Sequence, residues 1–375
     1  MNYKCPICGN EDPRFIGKKN NNFYCRKCLS FSKKESDNIS IERHTNHELI
    51  MPYSLTNDQQ IVSDKLIEYV DSKQNILIHA VCGAGKTEII TNIVLKFLNM
   101  KCKVGIIIPR RDLVIEIGNR LKTLFPKTKF SFVYGGHTSD INGDVIIATA
   151  HQAFRFEKTF DLLIIDEIDA FPYKNNDLLN YFVKRSTKGP IISLSATPGE
   201  KDLKDNTVIQ LFKRFHGFPI PIPKIIIANN FYLFYVVVKL IKKYQNENKP
   251  CFIYVPTIKE GNKIFLKLKR KFTNIIYVNS HIKNRKEMIE QIRKKHFTIV
   301  ITTTILERGV TFENLQVIIF HANHDIFDIA TILQITGRVG RKKAYYDGDV
   351  YLLANKKQKK FKKCIEEVKK YNGNL

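Results

Sequence analysis

Two series of short apolar runs, each alternating with helix-length segments, constrain the fold of this chain more than any other feature. The first series comprises Ile76 to Val81, Val104 to Ile108, Val145 to Ala148, Leu162 to Ile165 and Ile191 to Leu194. The second comprises Cys251 to Val255, Ile275 to Val278, Ile299 to Thr302, Val317 to Phe320 and Val350 to Leu353. Buried runs of this length, separated by helices, are typical of parallel strands covered on both faces. The sequence therefore predicts two α/β domains with parallel sheets.

The expected boundaries follow from composition. The sequence predicts a cysteine-rich module over 1–31, a polar linker over 32–49, a first α/β domain over 50–213, a connector over 214–224 and a second α/β domain with a basic tail over 225–375. Pro219, Pro221 and Pro223 lie in the connector, where they disfavour helix and favour stiff, extended chain. The tail, Lys356 to Lys370, suits a helix that contacts DNA or anionic lipid, or that is simply a solvated face.

The charge of the chain indicates a polyanionic partner. Its 375 residues include 61 Lys and Arg against 36 Asp and Glu, a net charge of 61 − 36 = +25. The electrostatic field of such a charge attracts nucleic acid, which is the first interpretation of the excess. An anionic membrane surface is the second interpretation. A+T-rich coding offers a neutral explanation for the abundance of Lys, Asn and Ile and the absence of Trp. Neither a signal peptide nor a membrane-spanning helix is expected, because the most apolar stretch, Phe231 to Ile241, is too short to cross a bilayer.

Four of the eight cysteines have the spacing of a structural zinc site. They form the pairs Cys5-x2-Cys8 and Cys25-x2-Cys28, with sixteen residues between the pairs. Four thiolates complete a zinc tetrahedron, and disulfides are the weaker alternative in a reducing compartment. His44 and His47 are expected to be solvated histidines of the linker. The remaining cysteines are interpreted as packing thiols: Cys82, Cys102, Cys251 and Cys364.

A glycine-rich segment follows the first run of the first series. It reads Gly83-Ala84-Gly85-Lys86-Thr87 and precedes a helical pattern over Glu88 to Leu98. Glycines let the backbone fold around phosphates, the lysine reaches the β- and γ-phosphates, and the threonine ligates Mg²⁺. A chance glycine-rich turn is the alternative. The placement between strand and helix favours a nucleotide site.

Two carboxylates end the run Leu162 to Ile165. A nucleotide hydrolase needs one carboxylate to hold Mg²⁺ and a neighbour to orient and deprotonate the attacking water. Asp166 fits the first task and Glu167 the second. A solvated acidic turn is the alternative, which the glycine-rich segment upstream makes less favourable.

A basic segment, Gln334 to Arg341, lies in the second domain. Arg338 and Arg341 could be ordinary basic surface. Arginines brought to a γ-phosphate also stabilise the charge of the transition state, which makes hydrolysis depend on domain closure.

In this order the motifs resemble superfamily 2 helicases of the DEAD/DEAH kind, which have two tandem RecA-like domains. The ordered set is Gly83 to Thr87, Pro109 to Arg111, Thr149 to Gln152, Asp166 to Asp169, Ser195 to Thr197, Thr302 to Thr311 and Gln334 to Arg341. The resemblance implies ATP, Mg²⁺ and Zn²⁺ as cofactors. It implies ATP contacts by Gln59, Gly83, Ala84, Gly85, Lys86, Thr87, Glu88, Asp166, Gly309 and Gln334. The residue near adenine is Gln59 or its neighbour Gln60. It implies nucleic-acid contact or coupling by Arg110, Arg111, Thr149, His151, Ser195, Thr197, Thr302 and Thr303, for which local capping is the alternative.

Narrower features are similar to ComFA-type ATPases, which drive single-stranded DNA into competent bacteria. They are the leading four-cysteine finger and three segments: Asp166 to Tyr173, Arg214 to Pro223 and Thr302 to Phe312. Thr311 departs from the wider superfamily, where many members have Asp. The resemblance implies a cytoplasmic ATP-dependent translocase on single-stranded DNA that could work at the inner membrane face. Implied partners are a membrane DNA channel, a ComFC-like protein and recombination mediators.

Two other functions stay open from sequence. A DNA helicase of replication restart or repair, or an RNA helicase, would carry the same motor motifs. A non-catalytic scaffold is disfavoured because Lys86, Glu167, Arg338 and Arg341 are all present.

Overall fold

A computed structural model describes residues 3–19, 22–31, 46–71, 74–170, 173, 176–282, 285–294, 296–306 and 312–373. The chain forms two compact units. The first comprises Met1–His79 and Lys86–Gln210, and the second comprises Ala80–Gly85 and Leu211–Leu375.

A seven-stranded sheet is the centre of the first half of the chain. Its strands are β3 (Ile76–Ala80), β4 (Val104–Ile108), β5 (Phe130–Val133), β6 (Val145–Thr149), β7 (Leu162–Asp166), β8 (Ile191–Ser195) and β9 (Thr207–Leu211), in the order β5-β6-β4-β7-β8-β3-β9. The helices are α1 (Asn57–Asp71), α2 (Lys86–Ile89), α3 (Thr91–Asn99), α4 (Arg111–Leu124), α5 (Asp177–Arg185) and α6 (Glu200–Asp205). Every residue of β3, β4 and β6 is buried, as expected of strands covered on both faces. A hairpin of β1 (Ile16–Lys19) and β2 (Asn22–Cys25) precedes this sheet.

A six-stranded sheet forms the centre of the second unit. Its strands are β10 (Lys224–Ile227), β11 (Cys251–Tyr254), β12 (Ile275–Val278), β13 (Ile299–Thr302), β14 (Gln316–Phe320) and β15 (Val350–Ala354), in the order β10-β15-β14-β11-β13-β12. All five neighbouring pairs are parallel. The helices are α7 (Asn230–Asn246), α8 (Ile258–Lys269), α9 (Arg285–Arg293), α10 (Ile329–Thr336) and α11 (Lys359–Asn372).

The predicted fold class is confirmed: two α/β domains of RecA-like type, each with a parallel sheet, follow a small cysteine module. All ten predicted strands occur. Three further strands of the two sheets, β5, β9 and β10, were not expected. Each is at or near a sheet edge and mixes polar with apolar residues, so its apolar run is shorter than that of a central strand.

Parallel pairing brings the carboxyl ends of the strands to one edge of each sheet. Strands β3, β4, β6, β7 and β8 are joined by parallel pairing in one continuous set. The glycine-rich loop follows β3 and Arg110 follows β4, while Thr149, Asp166 and Ser195 are the last residues of β6, β7 and β8. The predicted site residues of this sheet therefore share an edge.

One expectation about a flanking segment needs correction. His47, expected in solvent, is buried, and its Nδ1 lies 2.9 Å from Thr128 Oγ1. The basic tail Lys356 to Lys370 contains most of helix α11, in agreement with the expected helix. Its lysines lie on a solvated face, while Phe361, Cys364, Val368 and Tyr371 of α11 are buried in the second unit. His44 lies outside the described residues. Within the described residues, no helix has the length and apolar character that a membrane crossing requires.

Asp349, just before β15, ties the edge strand β10 and helix α7 to the second sheet. Its carboxylate accepts hydrogen bonds from Lys224 Nζ at 2.7 Å, Lys243 Nζ at 3.0 Å and Tyr244 OH at 3.1 Å. Burial alone would raise the pKa of this carboxyl, but the bonds from the two lysines outweigh it and hold the pKa at about 2. The ionised form is therefore the one that stabilises the fold.

We expect Asp349→Asn to lower the free energy of unfolding by roughly 1–2 kcal/mol at pH 7, allowing for solvent screening of the partly exposed lysines. Because the folded-state pKa lies below the ordinary value, this contribution is complete above about pH 5 and is lost as pH falls toward 2. Urea unfolding followed by circular dichroism, from pH 7 down to pH 3, measures it. Asp347→Asn, which changes an exposed aspartate two residues away, is the control. A difference between Asp349→Asn and the native chain that did not shrink with acidification would contradict the assignment.

Candidate functional site

The glycine-rich loop follows β3 and leads directly into α2 and α3. Gly83 has φ +88° and Gly85 has φ +80°, backbone conformations that strain any residue with a Cβ. Ala84, between them, is buried. Lys86 and Thr87 open α2. The backbone thus has the curved form that a phosphate cradle requires, at the expected position.

Glu88, predicted to contact the nucleotide, already has protein partners. Its carboxylate accepts a hydrogen bond from Tyr53 OH at 2.8 Å and forms an ion pair with Arg120. The side chain is buried. Tyr53 and Arg120 were not singled out from sequence, because only the fold brings them to Glu88. These two contacts fix the position of the Glu88 carboxylate, which follows Thr87 in the chain.

Gln59 caps helix α1. The Thr56 backbone N–H donates to Gln59 Oε1 at 2.9 Å, and the Gln59 N–H donates to Thr56 Oγ1 at 3.3 Å. This reciprocal pair is a capping box, which fixes the start of the helix. An adenine contact by Gln59 stays a prediction.

Asp166 ends β7, and the acidic segment turns sharply after it. Glu167 has φ +54°, an uncommon left-handed conformation for a residue with a Cβ. Two residues later, the buried Asp169 accepts hydrogen bonds from Ser195 Oγ at 2.7 Å and Thr197 Oγ1 at 2.8 Å. Ser195 and Thr197, predicted as coupling residues, are therefore bonded to the acidic segment. Asp169 was given no role from sequence; its spacing three residues after Asp166 is the signal that was missed.

Tyr173 is buried close to Asp166. Burial raises the pKa of its hydroxyl well above the ordinary value, and the negative charge of Asp166 adds to this effect. The phenol therefore stays protonated. Of the segment Asp166 to Tyr173, Phe171 and Pro172 lie outside the described residues.

The residues of the first unit that are predicted to contact nucleic acid differ in their exposure to solvent. Arg111 is exposed, with its guanidinium 4.7 Å above the ring of Tyr134, and that ring stacks on His137 at 5.2 Å. His151 is exposed on the 3₁₀ segment Ala150–Arg155, whereas Thr149 is buried. Arg110, half-buried, lies 3.8 Å from Asp112. Tyr134 and His137 were missed from sequence because no single motif contains them with Arg111.

In the second unit, the predicted residues lie at the end of β13, within α10 and in the turn after α10. Thr302 is fully buried and its hydroxyl donates to the Thr303 carbonyl at 3.0 Å, whereas Thr303 is half-buried. Gln334 and Arg338 are buried, and Arg341 is half-buried. The predicted phosphate contact Gly309 lies outside the described residues, as does Thr311.

The four predicted zinc ligands converge. All four are buried, and their sulfur atoms lie within 4.8 Å of one another. Cys5 Sγ is 3.6 Å from Cys28 Sγ, and Cys8 Sγ is 3.6 Å from Cys25 Sγ. Tetrahedral zinc with bonds of about 2.3 Å separates its sulfurs by about 3.8 Å, so the cluster fits that ion. Burial raises the pKa of the Cys8 thiol to about 11, which a bound cation would offset.

Arg185 holds the cysteine module to the rest of the first unit. Its Nη1 donates to the carbonyls of Pro6 at 2.7 Å and Ile7 at 2.9 Å, while its Nη2 contacts Glu157 at 2.5 Å. The four cysteines also belong to one apolar cluster with Ala153 and Phe156. The module is thus packed on the 3₁₀ segment that carries His151.

Comparison with known families defines the class of protein. The family model described as DEAD/DEAH box helicase matches residues 56–206, and the helicase conserved C-terminal domain matches residues 234–343. The chain is therefore an ATP-hydrolysing enzyme of the superfamily 2 helicase type. It belongs to the ComFA family: it is 33% identical to competence protein ComFA of Bacillus subtilis (strain 168), over 99% of this chain and 86% of that protein. The ComFA protein of Streptococcus pneumoniae (strain ATCC BAA-255 / R6) is 35% identical, over 93% of this chain and 86% of that protein.

More distant similarities agree with the fold. The ATP-dependent DNA helicase RecG of Helicobacter pylori (strain ATCC 700392 / 26695) is 27% identical over 84% of this chain and 54% of that protein. The structure of S. cerevisiae Dbp5 bound to RNA and ADP BeF3 superposes with a TM-score of 0.61 at 17% identity, over 86% of this chain and 93% of that one. RecG bound to a three-way DNA junction gives a TM-score of 0.62 at 17% identity, over 87% of this chain and 46% of that one. These two structures establish the two-domain helicase fold.

We expect native protein purified without chelators to contain one zinc ion per chain, measured by mass spectrometry of the metal. Cys25→Ser should lose the ion, because three thiolates cannot close the tetrahedron. Cys102→Ser, a change to a half-buried cysteine outside the cluster, should retain it. Native protein without zinc, or Cys25→Ser with a full equivalent, would show that the cluster is not a zinc site.

Proposed function

We propose that this chain is an ATP-driven motor that moves along single-stranded DNA and draws it into the cell during natural transformation. The observation that carries the proposal is similarity over nearly the full chain, cysteine module included, to two proteins named for competence. The charge of +25 suits a polyanionic track. The proposed place of work is the cytoplasm, at the inner face of the membrane. The proposed partners are a membrane DNA channel, a ComFC-like protein and recombination mediators.

The nucleotide is bound, in this proposal, by the loop Gly83 to Thr87. Main-chain amides at Gly83 and Gly85, with Lys86, bind the phosphate oxygens of ATP. Thr87 and Asp166 would hold Mg²⁺, which when bound neutralises phosphate charge. The curved backbone of the loop and the carboxylate at the end of β7 supply the oxygen and amide groups that such a complex needs. Gln59, Glu88, Gln334 and Gly309 complete the proposed set of contacts.

Hydrolysis is assigned to Glu167 and two arginines. Glu167 orients the attacking water and accepts its proton as the bond to the γ-phosphate forms and the bond to the β-phosphate oxygen breaks. Arg338 and Arg341 stabilise the charge that accumulates on the transferred group. The left-handed backbone at Glu167 supports this role, because strained residues are retained where their direction matters.

Coupling to the strand is assigned to the Asp169 network. The hydroxyls of Ser195 and Thr197 donate to the two carboxylate oxygens of Asp169. A shift of the acidic segment would therefore also displace the residues at the end of β8. Because these groups are buried or half-buried and bonded to each other, they move as a unit. This arrangement supports transmission from the nucleotide to the DNA surface.

The DNA surface of the first unit is assigned to the exposed Arg111, His137 and His151 and the half-buried Tyr134. Arg110 and Thr149 are further proposed contacts of this unit. Arginine neutralises phosphate, and an aromatic ring stacks on any base, so binding would be independent of sequence and sensitive to salt. Thr302 and Thr303 are the proposed contacts of the second unit.

A DNA helicase of replication restart or repair is the second candidate. The observation that favours it is the similarity to RecG proteins over most of this chain. Such an enzyme would respond to branched or forked duplex rather than to a free single strand. An RNA helicase would respond to RNA.

The test of the proposed function is steady-state ATPase activity with no nucleic acid, single-stranded DNA, forked duplex and RNA, each at low and moderate salt. Stimulation by single-stranded DNA above the others, falling as salt rises, is expected. Displacement of streptavidin from a biotinylated single strand then tests movement. Greater stimulation by forked duplex would assign the helicase function, and greater stimulation by RNA would assign the RNA function.

Two variants test the hydrolytic roles. Lys86→Ala should abolish ATP binding or turnover, because it removes the cation that faces the β- and γ-phosphates. Glu167→Gln should bind ATP normally and hydrolyse it roughly 10²- to 10⁴-fold more slowly, because the amide cannot take the proton. Fluorescent-nucleotide binding and single-turnover hydrolysis separate the two effects. Full turnover by either variant would remove that residue from the proposed site.

A further inference from the structure

Among the described residues of the second unit, Arg214 is the most completely buried charged side chain. Only 2% of it is exposed, although it lies in the irregular connector before β10. Its Nη1 donates to the carbonyls of Val339 at 2.9 Å and Gly340 at 2.8 Å, and its Nη2 lies 3.2 Å from the Gly337 carbonyl. Three contacts from one guanidinium thus reach a single turn, Gly337–Arg341.

The charge of this buried guanidinium is not balanced by a neighbouring carboxylate. Within the part of the chain that the structure describes, no carboxylate lies within ion-pair distance of it. Burial lowers the pKa of Arg214 to about 10, so it remains charged near neutrality. A buried charge that rests on carbonyls alone contributes little to stability compared with an apolar side chain of similar size. Its contacts therefore point to placement of the turn.

The turn that Arg214 holds carries both arginines assigned to hydrolysis. Arg338 lies between the bonded carbonyls of Gly337 and Val339, and Arg341 follows that of Gly340. Arg341 is close enough that its charge contributes to the lowered pKa of Arg214. Gly340 itself has φ +68°, so the turn is held in a conformation that few residues adopt.

His216 supports the same turn. Its Nδ1 accepts a hydrogen bond from the Phe218 N–H at 3.1 Å, which leaves the ring proton on Nε2. Nε2 therefore donates to the Gly340 carbonyl at 2.9 Å. Burial and the charge of Arg214 both lower the pKa of His216, which keeps the ring neutral and this tautomer in place.

The connector also contacts the segment Ala80–Gly85, which belongs to the same compact unit and includes the first three residues of the glycine-rich loop. The Phe215 N–H donates to the Gly83 carbonyl at 3.0 Å. A Cβ at Gly337 would come within 2.6 Å of the Cys82 Cβ, so the start of the turn lies directly against this segment. The connector thus bonds to Gly83 through Phe215 and to the turn through Arg214.

The geometry points to Arg214 as a positioning residue for ATP hydrolysis: it fixes the turn Gly337–Arg341 against Cys82 and Gly83 and so determines where Arg338 and Arg341 stand. Arg214 acts through these two arginines, because its guanidinium is bonded to the backbone of the turn. The inference rests on the proposed role of these two arginines. Lysine cannot replace it, because an ammonium lacks the planar fork that bonds several carbonyls at once.

The test is a double-mutant cycle with Arg214→Lys and Arg341→Lys, read as kcat of ATP hydrolysis and as Kd for a fluorescent ATP analogue. Arg214→Lys should lower kcat on the order of 10- to 100-fold, as a displaced catalytic group does, and leave Kd within about twofold. In the double variant the fold-decrease in kcat should be smaller than the product of the two single decreases, because both substitutions act through the side chain of residue 341. His216→Ala, which removes a single bond to the turn, should give a smaller loss of the same kind.

Arg185→Lys is the matched control, since Arg185 also donates to main-chain carbonyls but belongs to the cysteine module contact. Its effect on kcat should be small and should multiply with that of Arg341→Lys. Multiplying losses for Arg214→Lys and Arg341→Lys would overturn the positioning role. Normal turnover of Arg341→Lys and Arg338→Ala would instead overturn the proposed role of the arginines. If Arg214→Lys fails to fold by circular dichroism, the cycle with His216→Ala decides in the same way.

Discussion

Parallel pairing of buried strands determines where the functional segments of this chain can lie. Every strand of the set from β6 to β3 runs in the same direction, and helices form several of the connections between these strands. Helices then cover both faces, and the strand ends and loops are the places left for polar groups to meet. Chemistry that needs a glycine-rich loop, carboxylates and hydroxyls together can therefore be assembled at one edge, although its residues are far apart in sequence.

Buried polar bonds, more than apolar packing, set the positions of the segments at these edges. In the first unit Asp169 bonds the hydroxyls that follow β8, and in the second unit Arg214 bonds the turn that ends α10. Leaving a buried polar group without its partner costs more free energy than the hydrogen bond contributes when it forms. Such a contact is therefore either fully formed or fully broken. Segments held in this way move in discrete steps, which suits a motor whose cycle has distinct nucleotide states.

Sequence was sufficient for the central strands, the glycine-rich loop and the cysteine cluster because each has a local signal. Uninterrupted β-branched runs mark central strands, and Cys-x2-Cys pairs mark a metal site whatever the rest of the fold. The edge strands β5, β9 and β10 lack that signal, because polar residues shorten their apolar runs. Arg214 and Arg185 were also missed, since an arginine bonded to carbonyls leaves no pattern in sequence. The backbone that each arginine reaches is set by the fold.

The cysteine module illustrates why domain borders are harder to read than motifs. About thirty residues cannot bury enough apolar surface to fold alone, so a metal site and an adjoining surface must supply the rest. Here the sulfurs share one apolar cluster with Ala153 and Phe156, and Arg185 binds the carbonyls of Pro6 and Ile7. The module therefore completes the first unit. The segment Ala150–Arg155 packs against both this module and α5. The cysteine module, which sequence assigns to a separate domain, therefore helps to fix the position of the exposed His151.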